Sequence, residues 1–262
     1  MHLSQVSRTA ILTLIARAVA SERQTTLFHD PMAVRCLEGL ISVASPEERK
    51  WILGRRRFYA GVSVHDALAG ARRARVFDAI AARYIAAYPG CTIVNLGGGF
   101  DTRFWRMGHK DCRYVEVDLP AVVDLKAEIL KDDLGYELVG SSVLDPSWIA
   151  RVTARGQARF LLLAEGLLMF LPEPDVGRLF RQLAESFADS QFAFDMVPQK
   201  YLKGLWRVLL RLETTINWRL HVSWVSGYRD IRTIESYAPG LRVVGEEAGS
   251  AGPILVAAIN AP

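Results

Sequence analysis

The stretch Ile93-Val94-Asn95-Leu96-Gly97-Gly98-Gly99-Phe100-Asp101-Thr102-Arg103 constrains this chain more than any other. A short apolar run rich in β-branched residues stops abruptly at three glycines. Asp101, a capping-type residue, then opens what reads as a helix. A buried strand that turns sharply into a helix is the usual cradle for a nucleotide-like ligand, because glycine permits the tight turn and has no Cβ to hold a ligand off.

The residues before this turn read as helix. Ile11, Ile15, Ala18 and Val19 recur at helical spacing within about 5–22, and His29-Asp30-Pro31 breaks the chain ahead of a second helix, Met32 to Leu40. Ser45-Pro46-Glu47-Glu48 is a strong helix start, with Ser45 as cap and Glu48 three residues later. From His65 to Tyr88 a long helix places Phe77, Ile80, Tyr84 and Tyr88 on one face, and Pro89-Gly90 ends it. Residues 1–88 are therefore expected to form a helical extension.

After Cys91 the pattern becomes strand–helix alternation. Strand candidates are Thr92–Leu96, Tyr114–Asp118, Glu137–Val139, Phe160–Ala164, Phe192–Phe194, Leu241–Val244 and Ile254–Ile259. Helices fill the gaps between the first five, most clearly Glu173–Ala188. Such alternation predicts an α/β fold with a mainly parallel seven-stranded sheet over 89–262, covered on both faces. Residues 198–226 interrupt it with a helical insert carrying Trp206, Trp218 and Trp224. Placed at the carboxyl edge of the sheet, this insert is either a lid or a packing element that could serve as a homodimer contact.

Bulk properties narrow the function classes. The longest apolar run, Phe160 to Leu171, contains Glu165 and is too short to span a bilayer, so no membrane role is expected. The first residues lack the charged start and apolar core of a signal peptide, and Cys36, Cys91 and Cys112 are odd in number and far apart. Both features suggest a cytoplasmic chain with reduced thiols. Arg55-Arg56-Arg57 and Arg72-Arg73-Ala74-Arg75 are the dense basic runs. Neither is interleaved with aromatics as a base-stacking platform would be, which argues against nucleic acid. The five histidines show no metal-ligand spacing, so no metal is expected.

Four features carry chemistry. Thr102 stands where the dinucleotide fingerprint has its third glycine, the residue that gives close packing around a pyrophosphate. Its absence points away from NAD and toward a nucleoside without a diphosphate, such as S-adenosylmethionine. Asp118 ends the second strand about 20 residues after the glycines, where an acid accepts hydrogen bonds from ribose hydroxyls; as a bare helix cap before Leu119-Pro120 it would have no such role. Glu165 closes a very apolar strand and is expected to face a cleft rather than form a purely structural ion pair. Arg75, on the helix feeding the first strand, reads from charge pattern alone as a solvated residue paired to Asp78.

Taken together, Ala74-Arg75-Val76, the segment from Val94 to Arg106, Glu116-Val117-Asp118-Leu119-Pro120 with Lys126, and the run from Ala164 to Leu171 resemble the leucine carboxyl methyltransferase family, including its bacterial polyketide-type O-methyltransferases. The likeness runs from about residue 5 to 198. It implies a Rossmann-like class I methyltransferase that uses S-adenosylmethionine to methylate an oxygen of a small molecule, carboxylate or hydroxyl. Methylation of a protein C-terminus and non-catalytic cofactor binding are the alternatives. The resemblance also implies cofactor contacts from Arg75 to the methionine carboxylate, from Gly97, Gly98 and Gly99 through the backbone, from Asp118 and Leu119 at the ribose, and from Glu165 near the amino-acid end. Ser142 and Val143 stand where the family often has an acid and a leucine against adenine, and Phe170 stands where it often has tyrosine. His221 is a candidate base if the acceptor is an alcohol or phenol.

Overall fold

The structure, a computed structural model, describes residues 5–23, 28–61, 64–108, 111–156, 159–220, 224–249 and 252–260. Four helices come first: α1 (Gln5–Glu22), α2 (Pro31–Val43), α3 (Pro46–Ala60) and α4 (Val64–Ala87). Local chemistry sets their boundaries. Asp30 caps α2 by accepting from the Ala33 amide, with Pro31 in the first turn. Ser45 and Glu48 form a reciprocal capping box at α3. The helices pack around Ile11, Leu14, Ile15, Leu37 and Ile52, all buried, in a core that Phe100, Leu125 and Leu130 of the later chain join.

The sheet follows: β1 (Thr92–Leu96), α5 (Arg103–Met107), β2 (Arg113–Asp118), α6 (Pro120–Leu130), β3 (Glu137–Gly140), α7 (Ser147–Thr153), β4 (Phe160–Ala164), α8 (Glu173–Ser186), β5 (Ser190–Asp195), α9 (Gly204–Glu213), α10 (Ile231–Glu235), β6 (Leu241–Ala248) and β7 (Pro253–Ile259). The strand order is β3-β2-β1-β4-β5-β7-β6. Every pairing from β3 to β5 is parallel, and β7 runs antiparallel to both β5 and β6. The order reverses between β1 and β4, which opens a crevice at their carboxyl ends, and the glycine turn lies there. β1 and β4 are buried along their whole length, as a sheet covered on both faces requires.

The alternation and all seven predicted strands appear, with ends moved by a few residues. The largest extension is β6, which reaches Ala248 through an irregularity between Val243 and Gly245. Asp101 does not occupy the cap position of α5. Thr102 does, without a side-chain cap bond, while Asp101 Oδ1 accepts from the amides of Thr102 at 2.7 Å and Arg103 at 3.2 Å. Within the insert, the chain makes a short turn at Gln199–Leu202, then α9, then a wider helical turn at Thr214–Trp218. No helix among the described residues is long and apolar enough to cross a membrane.

Beneath the glycine turn lies a buried ion pair. The Lys126 ammonium, on α6, donates to Glu116 of β2 and to the Asp101 carbonyl at 2.7 Å. Asn95 and Tyr136 bond the same glutamate. Removing one partner strands a charge in the core. Lys126→Met is expected to destabilise the protein by about 3–5 kcal/mol, and the double variant Lys126→Met/Glu116→Gln by clearly less, both measured by urea denaturation.

Candidate active site

A cavity of about 710 Å³ opens at the carboxyl edge of the sheet, beneath the helical extension. Its floor is the glycine turn. Gly97 and Gly99 hold positive φ of 64° and 53°. A Cβ on Gly97 would lie 2.8 Å from Leu167 Cδ1, and one on Gly99 would lie 2.9 Å from Ala10 Cβ of α1. The second contact explains the glycine at 99: it lets the first helix settle directly on the turn.

Asp118, at the tip of β2, stands beside the turn. Its Oδ2 accepts from the Gly99 amide and its Oδ1 from the Leu119 amide, both at 2.7 Å. Burial pushes its carboxyl above the ordinary 3.8, against the pull of those two donors. Ser142 and Val143 follow β3 and line the same side of the cavity. Their loop is held by fully buried Trp148, whose indole Nε1 donates to the Val143 carbonyl at 3.1 Å.

Glu165, at the end of β4, faces the cavity and is held by two guanidinium groups. Arg73 Nε donates to Oε1 at 2.9 Å and Arg103 Nη2 to Oε2 at 2.6 Å. Both readings of this residue therefore meet in one side chain: it lines the cleft and is an ion-pair partner. Burial opposes its ionisation, but Arg73 and Arg103 outweigh burial and hold the carboxyl below its ordinary 4.5. Arg73 also reaches Asp195 of β5 at 3.3 Å. Arg103, fully buried, pairs in addition with Asp78 at 2.8 Å, and its Nη1 sits 2.7 Å from Asp101 Oδ2 as an ion pair outside hydrogen-bonding geometry. Arg106 closes the network on Asp78, Asp101 and Asp30.

Of the nine residues expected at a cofactor site, Gly97, Gly98, Gly99, Asp118, Leu119, Ser142, Val143 and Glu165 line this one cavity. Arg75 does not. It is exposed on α4, and Arg73 lies in the cavity wall instead. Two residues of helix rotate a side chain by about 200°, which carries Arg75 to the outer face. The signal was present in the sequence: Arg73 precedes buried Phe77 by four and shares its face, which also carries Ile80 and Tyr84. Glu116 lies in the core, paired to Lys126. Asn95, Asp101 and Arg17 also line the cavity and were not singled out. His221 lies outside the described residues.

The other end of the cavity is apolar and aromatic. Tyr59 of α3, Met169 and Phe170 after β4, and Tyr201, Trp206, Leu209 and Trp224 of the insert form it. The insert is tied back to the β4 turn: the Val225 amide donates to the Met169 carbonyl at 2.8 Å, and Ser226 Oγ to the Leu168 carbonyl at 2.7 Å. Trp206 and Trp224 line the cavity, and Trp206 is half exposed there, as are Leu209, Val208 and Leu212 of α9. Among the described residues, no group of three or more His, Cys, Asp or Glu side chains could hold a metal ion.

The family model described as "Leucine carboxyl methyltransferase" matches residues 10–184, which include the turn, Asp118, Glu165 and Arg73. The chain belongs to the leucine carboxyl methyltransferase family. The tetracenomycin polyketide synthesis O-methyltransferase TcmP of Streptomyces glaucescens is 31% identical over 173 residues, covering 65% of this chain and 60% of that protein. A Streptomyces avermitilis protein, named provisionally as an S-adenosyl-L-methionine-dependent methyltransferase, is 30% identical over 204 residues, covering 74% and 70%. The chain thus spans less than two thirds of the Streptomyces glaucescens relative's length. Among solved structures, a SAM-dependent methyltransferase from Anabaena variabilis superposes with a TM-score of 0.54 at 11% identity, covering 72% of this chain and 85% of that one. An O-methyltransferase family protein from Burkholderia thailandensis superposes with a TM-score of 0.51 at 16% identity, covering 79% and 62%. At these identities the likeness concerns the fold, which is the Rossmann-like class I methyltransferase fold.

The network around Glu165 sets a pH dependence. Because its folded-state carboxyl is held below 4.5, its contribution to stability is present above that pH and is lost as pH falls through the lowered value. Glu165→Gln is expected to cost about 3 kcal/mol at pH 7, where Arg73 and Arg103 lose a shared counter-charge. The gap from wild type should narrow as denaturation is followed below pH 4.5.

Proposed function

We propose that this chain is an S-adenosylmethionine-dependent O-methyltransferase acting on the carboxylate of a small, largely apolar aromatic acceptor. The observation that carries this reading is the division of one cavity into a polar, glycine-floored end and an aromatic end. The polar end suits the cofactor. A Cβ-free turn admits a backbone-close ligand, Asp118 offers a carboxylate to the ribose, Ser142 and Val143 flank the base, and Glu165 and Arg73 stand ready for the ammonium and carboxylate of the amino-acid end. When bound, S-adenosylmethionine supplies an electrophilic methyl group on a sulfonium.

The chain's own groups position the reactants and exclude water. Three acids line the described cavity, and each already has partners. Arg103 and Arg106 outweigh the burial of Asp101 and hold it far below the ordinary carboxylate range. Glu165 is shared by two arginines, and Asp118 by two amides. The other polar lining groups are hydroxyls, phenols, an amide and cations, which suit hydrogen bonding better than proton removal. An acceptor already ionised at neutral pH needs no base, and a carboxylate is one. The family description and the polyketide O-methyltransferase named among the relatives support the same reading.

Two measurements test it. Calorimetric titration with S-adenosylhomocysteine should show binding that Asp118→Ala weakens by about 1.5–3 kcal/mol, the worth of hydrogen bonds to a charged group, while Arg75→Ala, on the outer face, leaves it unchanged. With a deuterated methyl donor, aromatic carboxylic acids should yield methyl esters faster than matched phenols yield ethers. Turnover of phenols alone, or of a peptide C-terminus alone, overturns the acceptor assignment, and absence of homocysteine-nucleoside binding overturns the whole reading.

A further inference from the structure

The apolar stripe of α9 turns outward. Leu205, Val208, Leu209 and Leu212 recur at i, i+3, i+4 and i+7, the spacing by which a surface helix usually faces a core. Here all four are exposed, Leu205 at 72%. Trp206 joins them, and Ile216 extends the exposed apolar surface past the helix. Arg207 and Arg211, four apart and exposed, take the remaining flank. From Lys200 to Arg219 the sequence has five cations, Lys200, Lys203, Arg207, Arg211 and Arg219, and one acid, Glu213. Just ahead of the helix, the Lys200 ammonium stands 5.3 Å from the centre of the Tyr201 ring and 5.9 Å from that of Trp206. Beyond the helix, Arg219 lines a recess of about 620 Å³ with Arg49, Lys50, Arg55 and Arg57 of α3. No acid stands among the described residues of its wall.

We propose that α9 docks this protein on an anionic lipid surface, with the leucine stripe among the acyl chains and the cations at the phosphates. Charge selects this occupant. A second copy of the chain would set the same five cations against themselves, with one acid on each side to offset them. Lipid phosphates complement them instead. A basic, apolar helix with Trp and Tyr at its edge is the kind that lies in a bilayer interface, and the guanidinium-lined recess suits a phosphate headgroup. The expectation of no membrane role concerned spanning. A ten-residue helix lying in the plane of the interface needs neither the length nor the uniform apolarity of a span. Trp206 and Leu209 belong both to the exposed face and to the cavity wall. Docked this way, the aromatic end of the cavity meets the bilayer, and an apolar acceptor dissolved there reaches it without crossing water. That last step rests on the methyltransferase reading; the docking does not.

Co-sedimentation of the full chain with phosphatidylcholine vesicles, with and without an equal part of phosphatidylglycerol, tests the proposal. The wild type should bind the mixed vesicles, less tightly as salt is raised, and the neutral vesicles far more weakly. Two variants separate the contributions. Leu205→Asp/Val208→Asp/Leu212→Asp removes the stripe, and Arg207→Glu/Arg211→Glu reverses the charged flank; none of these five residues lines the cavity. Each variant is expected to lower partitioning onto mixed vesicles by about tenfold or more, with the thermal midpoint unchanged. The arginine variant carries the test if the aspartate variant does not fold. The proposal is overturned if the wild type stays in solution with mixed vesicles, or if the folded aspartate variant partitions as the wild type does, which is adsorption by charge alone. It is also overturned if light scattering shows, in place of vesicle binding, a dimer that the aspartate variant splits. A wild type that binds vesicles but not S-adenosylhomocysteine keeps the docking and overturns the functional reading.

Discussion

The buried pairing of Glu165 with Arg73 and Arg103 is the interaction on which the site depends. It joins three parts of the chain that are distant in sequence: α4 of the helical extension, α5 after the glycine turn, and the end of β4. Arg103 then reaches back to Asp78 on α4, and Arg106 to Asp30 at the cap of α2. Charges this buried are costly to desolvate and return little net stability, but they are strongly directional. The guanidinium forks shared between carboxylates add directional contacts to the apolar packing that seats the extension on the sheet edge. The cavity between extension and sheet therefore has a defined shape.

That arrangement also divides labour among the cavity's charges. Asp101 and Glu165 are held ionised by arginines that outweigh their burial, whereas Asp118 has only amide donors and its carboxyl is pushed up. Asp101 belongs to the framework, and Glu165 couples that framework to the cavity it lines. Asp118 retains lone pairs for a ligand and faces the part of the turn with no Cβ. Position in the network, rather than residue type, separates a framework carboxylate from a binding one.

Much of the polar end was legible in the sequence, because its residues lie at turns whose spacing is dictated by the fold. Gly97 to Gly99 end β1, Asp118 ends β2, Ser142 and Val143 follow β3 and Glu165 ends β4. Each is found by counting from an apolar strand. Arg75 is exposed, as its charge pattern alone reads; the resemblance of Ala74-Arg75-Val76 put it at the cofactor, whereas the periodicity of Phe77, Ile80 and Tyr84 puts Arg73 in the cavity wall. Arg103 and Asp195 were not readable, since nothing local distinguishes a network arginine or aspartate from a solvated one.

The aromatic end resists the same reading for a physical reason. Tyr59, Met169, Tyr201, Trp206 and Trp224 come from α3, the β4 turn and the insert, and no shared periodicity relates them. They meet because α3 packs on α1 and the insert is tied by main-chain bonds to the β4 turn. Their contribution is shape and apolar area, which many sequences supply equally well, so such a wall can be rebuilt while the glycine turn and Asp118 stay in place.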